Sequence, residues 1–208
     1  MLDPYIAHTE TSGGLTLKIV QDDHAGDGSR SWSNLGTMVY WHRRYVLGDV
    51  DGSKEYESPQ AFMEWAESEG SEILPLALLD HSGLTMWVGG GPHWSDEAGW
   101  DSGQVGYIYA TAETIRKEYG DDSADSRAKA QARLTGEVET FDHELTGNVW
   151  GYVVETEDGE CMDSCWGFIG DYDSPCGALM EGRNSLACHL AERAAQTARE
   201  AQWYHGAE

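Results

Sequence analysis

Lysine is scarce in this chain, with four residues in 208. Thirteen basic side chains in all stand against thirty-seven acidic ones, a net charge of −24. A body so negative repels nucleic acid, which argues against direct DNA or RNA binding. No apolar run reaches the roughly 18 residues of a membrane span. The opening stretch MLDPYIAHTE has no basic region followed by an apolar one, so no secretory signal is expected and the chain reads as cytoplasmic. Familiar catalytic signatures are missing too. There is no G-x-S-x-G elbow. Gly89-Gly90-Gly91-Pro92 is not followed by Gly-Lys-Ser/Thr, so it reads as a flexible connection and not as a phosphate loop. The four cysteines, Cys161, Cys165, Cys176 and Cys188, lack the paired C-x2-C knuckles of a zinc site. Cys161 and Cys165 also fall on one predicted strand, about 13 Å apart at strand rise. Buried free thiols are the expectation, with no metal and no cofactor.

The acidic surplus is spread evenly. Met1–Ala110 carries 5 basic and 17 acidic residues, and Thr111–Glu208 carries 8 and 20, so each part contributes −12. Three readings compete for it. One is solubility or an acidic proteome, which the rarity of lysine supports. Another is mimicry of nucleic acid, with carboxylates imitating the phosphates that DNA spaces at about one charge per 1.7 Å. A third is cation binding. Glu137, Glu139, Asp142, Glu144, Glu155, Glu157, Asp158 and Glu160 crowd eight carboxylates into twenty-four residues. These are the candidate partner-binding residues.

Forty per cent apolar residues and nine tryptophans indicate a real core. Strands are expected over Leu15–Gln21, Thr37–Tyr45, Ile73–Leu79, Leu84–Val88 and Val105–Ala110. The pair Val149–Thr156 and Cys161–Phe168, joined through Asp158-Gly159, is the strongest hairpin signal. Ser58-Pro59 opens a helix that stops at Gly70, and Thr111 caps another that stops at Gly120. Leu134, Val138, Phe141 and Leu145 carry a long helix from about Ser123 to Thr146. Its C-terminal half is acid-rich, unfavourable against the helix dipole. A final helix, Leu186–Tyr204, is expected to start at Ser185. Residues 1–14 read as flexible. The class implied is α+β: one domain with a mainly antiparallel sheet, about four helices packed on it and a long C-terminal helix. Most of the tryptophans are expected in its core.

Two polar corners lie at strand ends, Asp80-His81-Ser82-Gly83 and Trp100-Asp101-Ser102-Gly103-Gln104. They are candidates for an alternative site built from Asp80, His81, Ser82, Trp100, Asp101 and Gln104. Hydrolytic or metal-assisted chemistry would need such groups, yet the same residues serve turns. Asp80 and His81 are adjacent on an extended chain and point to opposite faces, so Asp80 does not orient His81. His42-Arg43-Arg44 is the densest cationic spot, with Arg43 and Arg44 read as internal ion-pair partners.

Several strings together carry a resemblance. They are Asn34-Leu35-Gly36-Thr37-Met38, His42-Arg43-Arg44-Tyr45 with Leu47-Gly48-Asp49, and Leu79-Asp80-His81-Ser82-Gly83. Trp100-Asp101-Ser102-Gly103-Gln104-Val105-Gly106-Tyr107-Ile108-Tyr109, Arg116-Lys117-Glu118-Tyr119-Gly120 and Asp163-Ser164-Cys165-Trp166-Gly167-Phe168 complete the set. Over roughly Leu15–Phe168 the chain resembles a family of small proteins encoded on bacteriophages, prophages and plasmids, in or near which some anti-CRISPR proteins lie. No catalytic residue is carried over from it, and the segment after Phe168 lies outside the pattern. The resemblance and the charge imply a non-enzymatic inhibitor of a host defence nuclease, Cas9-like or a restriction enzyme, acting as an acidic DNA mimic. A small hydrolase or metal-dependent enzyme at the two corners is the alternative, and an accessory phage protein the third.

Overall fold

The structure, a computed structural model, describes residues 5–23 and 28–205. Its strands are β1 (Ile6–Ser12), β2 (Leu15–Gln21), β3 (Thr37–Tyr40), β4 (Val50–Asp51), β5 (Glu72–Asp80), β6 (Leu84–Val88), β7 (Ser102–Ala110), β8 (Val149–Thr156) and β9 (Cys161–Ile169). The helices are α1 (Gly52–Glu55), α2 (Pro59–Ser68), α3 (Ala112–Tyr119), α4 (Ala124–Leu145) and α5 (Ala178–His205). The α+β class stands. Where one sheet was expected there are two, and each belongs to its own compact unit: Met1–Gly26 with Gly147–Glu208, and Asp27–Thr146.

The first unit is an antiparallel sheet in the order β1-β2-β8-β9, with α5 packed on β2 and β8. Leu15, Leu17 and Ile19 alternate onto one face, where they meet Tyr152 and Val154 of β8 and Leu179 and Leu186 of α5. The Asp158-Gly159 hairpin forms as read, with Gly159 at φ 81 and Thr156 N–H donating to Glu160 O at 2.9 Å. Within the stretch 1–14 that was expected to be flexible, residues 1–4 lie outside the described residues, while Ile6–Ser12 pairs with β2 as a strand. Its polar face conceals the strand signal in the sequence. Helix α5 also starts earlier than expected. Gly182 lies inside it, where a Cβ would lie 2.6 Å from Leu17 Cδ1, and its missing side chain lets the helix approach the sheet. Ser185 is therefore an internal helix residue whose hydroxyl donates to Asp163 and not a cap.

The cysteines correct another expectation, since all four are free and exposed. Two of them, Cys161 and Cys165, lie on β9, the sheet edge that α5 leaves mostly uncovered. Tryptophan is also less buried than its size suggested. Trp32, Trp94, Trp100, Trp166 and Trp203 are exposed, five of the nine.

The second unit has three layers around a five-stranded sheet, β4-β3-β7-β5-β6, antiparallel except for the β3–β4 pair. Period-2 alternation sends Met38, Leu76, Leu78 and Ile108 to one face, against Ala130, Leu134 and Val138 of α4. Val39, Tyr107 and Tyr109 point the other way, onto Phe62, Trp65 and Ala66 of α2. The caps are the expected ones. Ser58 accepts from Ala61 N at 3.1 Å, Thr111 from Thr114 N at 3.2 Å, and Gly120 closes α3 at φ 89. Strand β3 ends at Tyr40, short of the expected Tyr45. The His42 ring accepts from Tyr45 N at 3.2 Å and stacks on the Tyr45 ring, which folds the chain out of the sheet.

Among the described residues no helix is long and apolar enough to cross a membrane.

Candidate functional site

The acid-rich end of α4 has a structural use that its sequence conceals. Glu137, only 10% exposed at its side chain, accepts from Leu35 N at 2.7 Å and Gly36 N at 3.0 Å. It also pairs with Arg30 and Arg133. Seven residues on, along the same helix face, Glu144 accepts from the Ser29 backbone and, at 2.8 Å, from its hydroxyl. Asp142 accepts from Met86 N at 2.7 Å, on the edge strand β6. Burial pushes the Asp142 carboxyl above its usual range, against the lowering effect of that bond. Three of the four α4 candidates thus satisfy main-chain donors of the loop before β3 and of the sheet edge. Their electrostatic cost against the helix dipole is offset by charge-assisted hydrogen bonds. Glu139 alone among them is exposed.

The other four candidates lie in the other unit, at the β8–β9 hairpin. Glu155 is ion-paired with Lys18. Glu157, Asp158 and Glu160 are exposed around the turn. The eight carboxylates therefore divide into internal acceptors and surface groups.

The two polar corners do come together. Main-chain Asp80 N donates to Asp101 O at 2.8 Å, joining the end of β5 to the start of β7. His81 Nδ1 lies 2.9 Å from Asp101 Oδ2, so Asp101, and not the adjacent Asp80, orients the imidazole. Asp80 is turned the other way, to an ion pair with Arg44 and a 3.4 Å bond from the Tyr45 hydroxyl. Ser82 holds the three-residue turn in the left-handed region at φ 61. Trp100 is 86% exposed beside an open cavity of about 270 Å³ that Gln104 also lines. Gln104 Nε2 donates to Gly106 O at 3.4 Å. A His–Asp pair can hold an imidazole to take a proton. Among the described residues, however, no Ser, Thr or Cys hydroxyl or thiol hydrogen-bonds His81.

A larger recess, not foreseen from the sequence, opens on the free side of β6. It measures about 630 Å³ and lies between β6, the loop after it and α4. Trp87, His93 and Trp94 form a run of rings along it, with centroids 5.2 Å apart at each step. Beyond Gly89-Gly90-Gly91-Pro92 the loop is tied to its own far end. Asp96 accepts from Trp100 N at 3.1 Å, Asp101 N at 2.9 Å and Ser102 Oγ at 2.8 Å. The Ser102 hydroxyl bond, with the backbone donors, holds the Asp96 carboxyl below its usual range. His93 N in turn donates to Ser102 Oγ at 3.0 Å. Asp96 thus ties the loop down while Trp94 stands 83% exposed. Met86, Val88 and Val138 give the recess an apolar floor, and Glu139 and Asp142 supply carboxylates.

Among the described residues no group of three or more His, Cys, Asp or Glu side chains is arranged to hold a metal ion. Comparisons with protein-family models, curated proteins and solved structures find no significant match to this chain.

Proposed function

We propose that this protein is a non-enzymatic binding module whose acidic exterior occupies the basic nucleic-acid groove of a partner protein. A host defence nuclease, Cas9-like or a restriction enzyme, is the partner that the sequence resemblance favours, with the protein acting as a DNA mimic from a phage or other mobile element. The observation that carries the reading is how the cations are spent. Nine of the thirteen basic side chains form ion pairs with carboxylates of the same chain. What remains for a partner is an excess of carboxylates, exposed at the β8–β9 turn and along Glu64, Glu67 and Glu69 of α2 and its end. Such a surface competes with phosphate for lysines and arginines, and the competition weakens as salt rises.

The test is nuclease protection with purified Cas9-like and restriction nucleases across a salt series. Protection that fades with salt and is relieved by excess DNA supports the reading. Absence of protection at low salt across the panel counts against it.

A second reading, a small hydrolase at the corners, has the His81–Asp101 pair in its favour. Hydrolysis of activated esters that disappears in Asp101→Asn, with folding intact, would favour it over the binding module.

A further inference from the structure

We infer that the recess beside β6 is a binding site for the guanidinium of an arginine side chain presented by a basic partner protein. The partner's identity rests on the function proposed above, whereas the cation chemistry rests on the recess itself. Its walls supply both halves of a cation site. Indole faces attract a cation through the ring quadrupole, tryptophan most of all. Trp87 and Trp94 flank the recess with His93 between them. Opposite them on α4 stand Glu139 and Asp142, with His143 beside them, and among the described residues no Lys or Arg lines the space. Asp142 spends Oδ1 on Met86 N. A half-buried carboxylate attracts a cation more strongly than one in open water, because the surrounding dielectric is lower.

The chemistry selects among cations. A metal ion needs a denser set of donors than two carboxylates on one side of an aromatic wall, and among the described residues no such set exists. A volume of about 630 Å³ also far exceeds an ion's requirement and leaves room for a side chain with flanking backbone. A guanidinium is planar, stacks on indole and donates in a fork to carboxylates, so one group engages both walls. The tethering of the loop by Asp96 holds the aromatic wall in place before any ligand arrives, which lowers the ordering cost of binding.

The test follows the indole N–H signals of Trp87 and Trp94 by two-dimensional NMR during titration with N-acetyl-arginine amide. The neutral isostere N-acetyl-citrulline amide is the control. Saturable shifts of both indoles with arginine, and none with citrulline at equal concentration, are expected. Affinity should fall tenfold or more in Glu139→Gln/Asp142→Asn, in which the Asn oxygen still accepts from Met86 N. Trp94→Ala, at an exposed site, should weaken binding as well without unfolding the chain. Equal shifts with citrulline, unmoved indoles, or unchanged affinity in both variants would overturn the proposal. A short arginine-bearing peptide should bind more tightly than free arginine, and the reverse order would overturn the assignment to a protein partner. Nuclease protection by the double variant separates the two readings. Full protection after loss of arginine binding refutes the recess as an anchor and leaves the acidic-module reading intact. Arginine binding without any protection refutes the nuclease reading and leaves the cation site standing.

Discussion

Asp142 of α4 accepts the main-chain N–H of Met86 at 2.7 Å, so a carboxylate closes the free edge of strand β6. The arrangement blunts an edge that would otherwise offer its N–H to another strand. It also keeps an ionisable group in a half-buried place where a neutral amide would do the same job. The Asp142 carboxyl is raised above its ordinary 3.8 by burial, so the folded state holds that proton better than the unfolded one. Its effect is to lower stability as pH rises from 3.8 through the folded value. Asp142→Asn should therefore melt higher than the wild type at neutral pH, with the gap closing as pH falls below 3.8. Thermal melts of both proteins over that range check the sign.

Glu137 behaves oppositely, as an acceptor that the fold cannot spare. Glu137→Ala strips partners from Leu35 N, Gly36 N and two arginines at a side chain only 10% exposed. The expected cost is about 3 kcal/mol, typical of breaking a buried charge-assisted network. Denaturant unfolding measures it. Glu139→Gln, on the same helix but exposed, should change stability by less than about 0.5 kcal/mol.

Two glycines should respond to alanine with opposite signs. At Gly106 a Cβ would lie 2.1 Å from Val39 O, a backbone atom of the neighbouring strand, so β3 and β7 must part. Gly106→Ala is expected to destabilise by about 2–3 kcal/mol or to prevent folding. At Gly136, inside α4, nothing lies within 4 Å of an added Cβ. Gly136→Ala should stabilise by about 0.5–1 kcal/mol through helix propensity alone.

Glu10 of β1 takes bonds from Arg183 of α5, with Arg183 Nε at 2.9 Å, and from His8. Those bonds, Arg183 foremost, lower its pKa to about 2. A lowered folded pKa means stability that is complete above the ordinary 4.5 and is lost as pH falls toward 2. Glu10→Gln should melt below the wild type at pH 6, and the two melting curves should converge as pH approaches 2.

Much of the fold was legible because local chemistry dictated it. Ser58-Pro59, Thr111 with Gly120, and Asp158-Gly159 are each satisfied by bonds within a few residues, so the sequence alone locates them. What escaped depended on partners distant in the chain. Strand β1 is recognisable only once β2 is beside it, and Gly182 only once Leu17 is beneath it. The acidic run on α4 has the same cause. Glu137, Asp142 and Glu144 looked like free surface charge, since their main-chain donors at Leu35, Gly36, Met86 and Ser29 lie 56 to 115 residues away. Of the polar corners, sequence named the residues and the structure supplied the pairings, His81 with Asp101 and Asp80 with Arg44. The aromatic recess could have been suspected from Trp87 and Trp94, but its acidic wall comes from α4, about fifty residues on.

The central claim is that exposed carboxylates occupy a basic groove. The most direct measurement compares nuclease protection across a salt series for the wild type and for Glu157→Gln/Asp158→Asn/Glu160→Gln. All three side chains are exposed and, among the described residues, form no ion pair, so folding should be preserved. The account predicts weaker protection and a shallower salt dependence in the variant, as phosphate-like contacts are lost. Protection of unchanged strength and salt slope, in a variant that folds normally, would contradict it.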